Sequence, residues 1–203
     1  MSLIRVHFGS TMTILLMTLL VIPILSFQHS EAQTLQPQKF SEYISPTNGI
    51  KVNYPSNWLK KDTGLPDSGQ GPENKTVVVF TPPERGVIFR ISVDRLPTGS
   101  TLRDVVQEEM NGISKVAKLQ PNVTITKSGP TALSNHSAYE MQFGYSQKVL
   151  TNFIPIRAMV IVTVVNHTKF VVSYAGVADQ FLSKKQLADS MTDSLQVVKP
   201  VDR

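Results

Sequence analysis

The stretch GIKVNYPSNWLKKD (residues 49–62) decides the fold of this chain. Its first half carries apolar residues at every second position, as in a β-strand with one buried face: Ile50, Val52 and Tyr54. Pro55 has no backbone N–H to donate to a strand ladder, so we expect the strand to stop there. Trp58, the only tryptophan in the chain, offers a large apolar ring, and we expect it to close one end of the core. Stacking on a ligand is the alternative role for this ring.

The residues that follow this tryptophan change in character. KKDTGLPDSGQGPENK (residues 60–75) is rich in Gly, Pro, Asp and Ser and almost free of apolar side chains. This composition predicts a long loop, and long loops in compact domains are either functional or mobile.

Length and composition indicate one globular domain behind an N-terminal segment. The chain has 203 residues, of which 41% are hydrophobic and 17% are charged. These values are ordinary for a folded protein and exclude wholesale disorder. The size is sufficient for a single apolar core.

The N-terminus has the three parts of a secretory signal. Arg5 precedes an apolar run at residues 11–27, and small residues follow before a predicted cleavage between Ala32 and Gln33. The alternative is an uncleaved membrane anchor through residues 11–27, although a helix of that length is slightly short for a bilayer. Under either interpretation the domain lies outside the cytoplasm. We therefore predict a signal peptide at residues 1–32 and a flexible leader at residues 33–39.

Cysteine is absent from the whole sequence. A disulfide, a thiol nucleophile, a lipid thioether anchor and a zinc site built on cysteine are therefore all excluded. The exported domain must be stabilised by its apolar core alone.

Four N-x-[ST] sequons predict sites of N-glycosylation at surface turns. The candidate acceptors are Asn74, Asn122, Asn135 and Asn166. The alternative explanation is conformational, since asparagine favours turns for its own reasons.

The order of predicted elements is four strands, a helix, four strands and a helix. Alternation predicts strands at residues 40–44, 50–54, 76–81, 87–93, 123–126, 138–145, 156–165 and 168–175, with a short terminal strand at 196–198. The pair Asn166-His167 suits a two-residue hairpin turn. Residues 159–165 are apolar on both alternating faces, which predicts a strand covered on both sides. This pattern is typical of an α+β sandwich built on an antiparallel sheet.

Helical spacing predicts the two helices. The first begins at Ser100 or Thr101 and ends before Pro121, with an apolar face formed by Leu102, Val105, Val106, Met110, Ile113 and Val116. The second has its apolar side at Phe181, Leu182, Leu187, Ala188, Met191 and Leu195.

Catalytic chemistry has few carriers in this sequence. Beyond residue 32 the histidines are His136 and His167, both inside sequons, where a solvated turn histidine is the expected role. Motifs for a nucleophile elbow, a zinc helix or a phosphate loop are missing. Carboxylates that suggest a cation site are Asp62, Asp67, Glu73, Glu108 and Glu109. Their spacing lacks a calcium-loop ladder, so we expect solvated charges, with no catalytic residue, metal or cofactor.

The net charge of +5 is spread along the chain. Aromatic residues are not interleaved with the basic ones, so nucleic-acid binding is not expected. A mild preference for an anionic surface, such as lipid headgroups or an acidic partner, is expected.

The motif G-I-x-V-x-Y-P-x-x-W, together with the second helix, resembles the PsbP-like superfamily. The carriers are Phe40, Tyr43, Gly49, Ile50, Val52, Tyr54, Pro55, Trp58, Phe181, Leu187, Met191 and Leu195. Combined with the signal and the sequons, the chain is similar to the short exported PsbP-like proteins of archaea. The resemblance implies a single domain at residues 40–199, with a three-layer α/β/α sandwich around a central antiparallel sheet. Photosynthetic members dock on photosystem II, but no ion or docking motif of theirs is matched here.

Two functions from different classes follow. The first is an exported non-catalytic binding or accessory protein, whose partner is a membrane protein complex or an anionic membrane surface. The second is an extracytoplasmic hydrolase or metal-dependent enzyme of the cell envelope.

Overall fold

The computed structural model of the chain describes residues 38–63, 75–120 and 122–197. These ranges contain ten strands and two α-helices. The strands are β1 (Phe40–Ser45), β2 (Ile50–Pro55), β3 (Leu59–Asp62), β4 (Lys75–Thr81), β5 (Val87–Arg95), β6 (Thr124–Leu133), β7 (His136–Val149), β8 (Asn152–Val165), β9 (Thr168–Val177) and β10 (Gln196–Val197). The helices are α1 (Leu102–Leu119) and α2 (Ala178–Ser194).

The strands form two antiparallel sheets. The larger has seven strands in the order β3-β4-β5-β9-β8-β7-β6, and the smaller has the order β1-β2-β10. Helix α1 contacts β7 and β8 on one face of the large sheet, while α2 contacts β9, β8 and β5 together with β2 of the small sheet. This arrangement confirms the predicted α+β fold with a central antiparallel sheet between helical layers.

The central strands bury both of their faces. Met159 and Ile161 belong to the larger core cluster, which contains Phe181 of α2, whereas Val162 belongs to a second cluster with Val105 of α1. Consecutive side chains of a strand point to opposite faces, so β8 separates two apolar layers. The prediction that residues 159–165 are covered on both sides is confirmed.

Trp58 closes the core as predicted. Strand β2 ends at Pro55, the Trp58 N–H donates to the Pro55 carbonyl at 2.9 Å, and the Trp58 side chain is only 5% exposed. Beside it, the rings of Tyr43 and Tyr54 lie 6.0 and 4.6 Å from the ring of Phe80. The aromatic residues of the small sheet therefore pack on β4 of the large sheet.

The prediction of a loop from Lys60 onward is wrong in its first residues. Leu59–Asp62 form β3, which pairs with β4 along residues 78–81. Each residue of β3 is exposed, so alternation of apolar and polar residues does not mark it. Backbone pairing at the sheet edge forms this strand, and five strands rather than four precede α1.

The first predicted strand after α1 is also longer than the sequence suggested. Strand β6 continues to Leu133 instead of ending at residue 126, and it meets β7 through the two-residue turn Ser134-Asn135. Gly129 and Pro130 lie within β6. They are tolerated because β6 is an edge strand, whose outward N–H groups need no partner.

The helices largely confirm their predictions. Thr101 caps α1, since its hydroxyl accepts from the Asp104 N–H and the Asp104 carboxylate accepts from the Thr101 N–H. Phe181, Ala188 and Met191 of α2 are buried as expected. Leu182 is an error, because it is 53% exposed and lies outside the apolar side of the helix.

The close approach of Gly176 to the start of β5 gives a sharp test of this packing. A Cβ atom on Gly176 of β9 would overlap the Gly86 carbonyl oxygen and lie 2.7 Å from the Val87 Cα. We expect Gly176→Ala to lower the free energy of unfolding by at least about 2 kcal/mol, measured by denaturation with Trp58 fluorescence.

Gly129→Ala in β6 is the matched control, because no atom lies within 4 Å of a Cβ built there. Its free energy of unfolding should stay within about 0.5 kcal/mol of the wild type. Equal effects of the two substitutions would contradict the described pairing of β5 and β9.

Candidate functional site

The structure places both predicted histidines at hairpin turns. His136 begins β7 directly after the Ser134-Asn135 turn, and His167 lies in the two-residue turn between β8 and β9. His167 is exposed and His136 is half-buried. The Asn166-His167 turn itself is confirmed, with both residues in the left-handed region at φ of 49° and 58°.

Three of the predicted glycosylation acceptors are exposed. Asn122, Asn135 and Asn166 adopt φ values of 59°, 63° and 49° at turns. Asparagine tolerates this conformation better than other residues with a Cβ, so the turns alone are sufficient to favour it. Asn74 and the predicted cleavage residues Ala32 and Gln33 lie outside the described residues.

The suggested acidic residues do not meet at one place. Asp62, in β3, accepts a hydrogen bond from the Tyr43 hydroxyl at 3.3 Å. Burial raises the pKa of Tyr43 to about 12. Asp67 and Glu73 lie outside the described residues.

Glu108 and Glu109 contribute instead to a polar layer between α1 and the sheet. The polar layer consists of Asp94 of β5, Lys169 of β9 and these two helical carboxylates. The Lys169 Nζ lies 3.4 Å from Asp94, 3.9 Å from Glu108 and 3.7 Å from Glu109. Lys169 and Asp94 are both buried. Two strands and one helix thus supply one buried cation and three carboxylates.

The polar layer is built as an ion-pair cluster. The ammonium of Lys169 already occupies the position that a bound cation would take among the carboxylates. Burial is the main influence on Glu109 and raises the pKa of its carboxyl, against the attraction of Lys169. Across residues 38–63, 75–120 and 122–197, His, Asp and Glu side chains form no group that could hold a metal ion.

A second buried carboxylate faces the opposite side of the sheet. Glu140 of β7 accepts from Lys127 Nζ and from Gln142 Nε2, each at 2.5 Å. Burial raises the pKa of Glu140, but these hydrogen bonds outweigh it and hold the pKa below its usual value. Glu140 is therefore a satisfied structural ion.

The hairpin of β7 and β8 extends beyond the rest of the large sheet. Pairing of β6 with β7 ends at Gly144, and pairing of β8 with β9 ends at Ile156. Residues 146–155 continue as a two-stranded ladder of four residue pairs. We call this segment the arm, and it extends roughly 13 Å beyond its neighbouring strands. No flanking strand pairs with it among the described residues.

The tip of the arm carries an unusual residue. Leu150 occupies the turn with φ of 54° and is 84% exposed. A leucine in this region of backbone space is strained, and glycine or asparagine is the ordinary choice at a hairpin turn. The two other hairpin turns of the second half each include an asparagine in the left-handed region, Asn135 beside Ser134 and Asn166 beside His167. Strained residues of this kind cluster at functional sites.

Other exposed apolar residues lie at the same end of the sheet. Phe153 on the arm is 58% exposed and pairs with Lys148, so both side chains project from one face. Ile125 of β6 and Leu119 at the end of α1 are exposed beside the base of the arm. We call this region, with the β4–β5 turn and the first turn of α2, the arm end.

Charge differs between the two ends of the sheet. The exposed charged residues of the arm end are five cations, Arg85, Lys115, Lys118, Lys148 and Arg157, and two carboxylates, Glu84 and Asp179. The exposed charges of the opposite end are balanced, with Arg95 and Arg103 against Asp104 and Asp193, while the residues of the polar layer are buried or half-buried. Glu84 also pairs with Lys184 at 3.4 Å, which reduces the negative charge of the arm end further. The arm end is thus basic and apolar together.

The arm was not predicted from the sequence. Its strands were predicted too short, at residues 138–145 and 156–165, because Lys148 and Asn152 interrupt the apolar alternation. The sequence feature that indicates the arm is the segment KVLTNF (residues 148–153), a short link between two strand patterns that contains two large apolar residues.

Among the helices in the described ranges, none combines the length and the apolar character needed to span a membrane.

Comparisons with known proteins identify the fold. No model of a known family and no curated protein sequence matches the chain. Among solved structures, cyanobacterial PsbP (CyanoP) from Synechocystis sp. PCC 6803 superposes with a TM-score of 0.58 and 15% identity, over 83% of this chain and 98% of that one.

Two further structures have the same architecture. LpqN of Mycobacterium tuberculosis, involved in cell envelope biogenesis, gives a TM-score of 0.51 and 14% identity over 82% of this chain and 88% of its own. The Ran-binding protein Mog1p of Saccharomyces cerevisiae gives 0.51 and 10% identity over 80% and 97%. The chain therefore has the PsbP-like fold that the resemblance implied.

The polar layer leads to a prediction about pH. Since the folded-state pKa of Glu109 is raised, folding disfavours its charged form, and the associated stability is lost as pH rises through that pKa. We expect Glu109→Gln to raise the free energy of unfolding at about pH 7 by up to about 1 kcal/mol, and to have no effect at about pH 4. Urea denaturation at both pH values measures this difference.

Glu108→Gln is the matched control, since it removes the same charge from the neighbouring, more exposed side chain. A change within about 0.5 kcal/mol is expected for it at both pH values. Destabilisation by Glu109→Gln at about pH 7 would show that attraction to Lys169 outweighs burial.

Proposed function

We propose that this chain is an exported, non-catalytic accessory protein that binds at the extracytoplasmic face of a membrane. Residues 1–32 act as the signal, residues 33–39 as the leader, and residues 40–199 as the binding domain. The observation that carries the proposal is the arm end, where exposed apolar side chains and a cationic surface coincide.

Exposed apolar groups on a monomer mark surfaces that bind other molecules. At the arm end they surround a projecting hairpin whose tip residue is strained, a combination that a purely structural turn does not need. The five nearby cations favour a partner with negative charge. A membrane protein complex and an anionic membrane surface both satisfy this requirement.

The placement of the remaining features supports one orientation. Gln38, the first described residue, donates to Asn57 Oδ1 at 3.3 Å, and the following strand pairs Leu59 with Thr81 beside the β4–β5 turn. The chain therefore enters the domain at the arm end. An N-terminal signal or anchor would be attached on the side that we propose faces the membrane.

The sequons fit this orientation in two of three described cases. Asn135 and Asn166 lie in turns at the end opposite the arm, where a glycan would face away from the membrane. We propose that they carry glycans in a host with the transferase. Asn122 lies at the arm end, where a glycan would obstruct binding.

The solved relatives in fold include a Ran-binding protein and a protein involved in cell envelope biogenesis. A binding role is thus compatible with this architecture, although function is carried by sites and not by folds. For the alternative of an extracytoplasmic hydrolase or metal-dependent enzyme, the described residues provide no group of His, Asp and Glu side chains that could hold a metal ion.

Export is tested by expressing the full chain and measuring the mass of the product, which identifies its N-terminal residue. We expect a processed protein that begins at Gln33 and is digested by protease added outside intact cells. Ala32→Arg is the control, since a bulky charged residue at the cleavage position should block processing. An unprocessed protein that remains protected inside the cells would contradict the proposal.

Membrane association is tested by mixing the processed protein with washed membranes of the source cell. We expect cosedimentation that falls as salt is raised, because the arm end is cationic. The double variant Lys148→Gln/Arg157→Gln should sediment less, whereas the matched Arg95→Gln/Arg103→Gln at the opposite end should behave as the wild type. Failure of the wild type to sediment at low salt would overturn the proposed function.

A further inference from the structure

We propose that the partner of the arm end is the anionic lipid bilayer itself, and that the arm inserts Leu150 and Phe153 into the headgroup region. This inference rests on the proposed function and names its partner. A membrane protein is the competing occupant, and it is an outcome of the test below.

The shape of the arm favours a lipid surface. A two-stranded hairpin that projects beyond the sheet reaches a flat surface with its tip while the sandwich stays in water. Its strands satisfy each other's inward-facing backbone groups, which lowers the hydrogen-bonding cost of placing the tip in a region of low polarity. The outward groups of its two edges stay at headgroup depth, where water remains available.

The side chains of the arm are arranged as an interfacial anchor. Leu150 at the tip is the most exposed large apolar residue described, and Phe153 follows on the adjacent strand. Lys148 lies directly opposite Phe153 on the same face, so its ammonium reaches the headgroups as the ring enters below them. Apolar insertion combined with headgroup attraction is the energetic basis of interfacial binding.

The rest of the arm end extends the same surface. Arg157 follows the arm on β8, Lys115 and Lys118 project from the last turns of α1, and Arg85 lies in the β4–β5 turn. These cations are dispersed around the arm rather than gathered in one pocket. A dispersed positive field complements a continuous negative surface better than a single acidic group.

A substitution at Leu150 can separate a role in lipid binding from a role in the stability of the fold. Replacement by asparagine relieves the positive-φ strain, so we expect Leu150→Asn to keep or raise the thermal midpoint of the protein. The same substitution removes the apolar tip and should weaken lipid binding. A change that stabilises the fold while reducing binding identifies a residue retained for binding.

The experiment measures cosedimentation of the processed protein with protein-free vesicles. One set contains equal parts of phosphatidylglycerol and phosphatidylcholine, and the other contains phosphatidylcholine alone. We expect binding to the first set only, lowered about tenfold by Leu150→Asn and about tenfold by Phe153→Thr. Ile44→Thr is the matched control, because Ile44 is also a strand residue and is 53% exposed away from the arm. It should bind as the wild type.

The outcomes separate the lipid inference from the proposed function. Binding to native membranes without binding to phosphatidylglycerol vesicles would overturn the lipid inference, favour a protein partner and leave the proposed function standing. Equal binding of the wild type and both arm variants, or an equal loss with Ile44→Thr, would also overturn it. Failure to bind both native membranes and vesicles would overturn the inference and the proposed function together.

Discussion

The double burial of the central strands is the constraint on which the structure depends. β8 and β9 present apolar side chains to both faces, so neither face of the large sheet tolerates water. α1 covers one face, and α2 with the small sheet covers the other. Trp58 and the tyrosines of the small sheet complete the layer on the second face. The motif at residues 49–62 thus supplies apolar cover that the large sheet requires.

That constraint also explains where exposed surface is available for binding. Both faces of the sheet are occupied, which leaves the edges and the two ends. The ends differ, since one carries the polar layer and two of the exposed sequons, and the other carries the arm, exposed apolar residues and most of the unbalanced cations. A fold without an open face thus acquires a binding surface by extending one hairpin beyond its neighbours.

The sequence predicted the elements whose side chains follow a period. A hydroxyl at Ser100 or Thr101 predicted the start of α1, Asn166-His167 predicted a hairpin turn, and residues 159–165 predicted a strand covered on both sides. It failed for β3, because Lys60, Lys61 and Asp62 are exposed on both faces and only backbone pairing makes them a strand. The arm was missed for a related reason, since its pairing continues after the apolar alternation has ended. The polar layer needed tertiary structure, because Asp94, Glu108 and Lys169 come from three different elements.

The depth of Leu150 at a lipid surface tests the central claim most directly. Because the chain has no cysteine, Leu150→Cys and Asn166→Cys each create a single site for an environment-sensitive fluorophore. On vesicles of phosphatidylglycerol and phosphatidylcholine, the label at position 150 should shift to the blue and be quenched by a lipid-borne quencher. The label at position 166, at the opposite end, should remain in water. A label at position 150 that stays in water while the protein is bound to the vesicles would contradict the account.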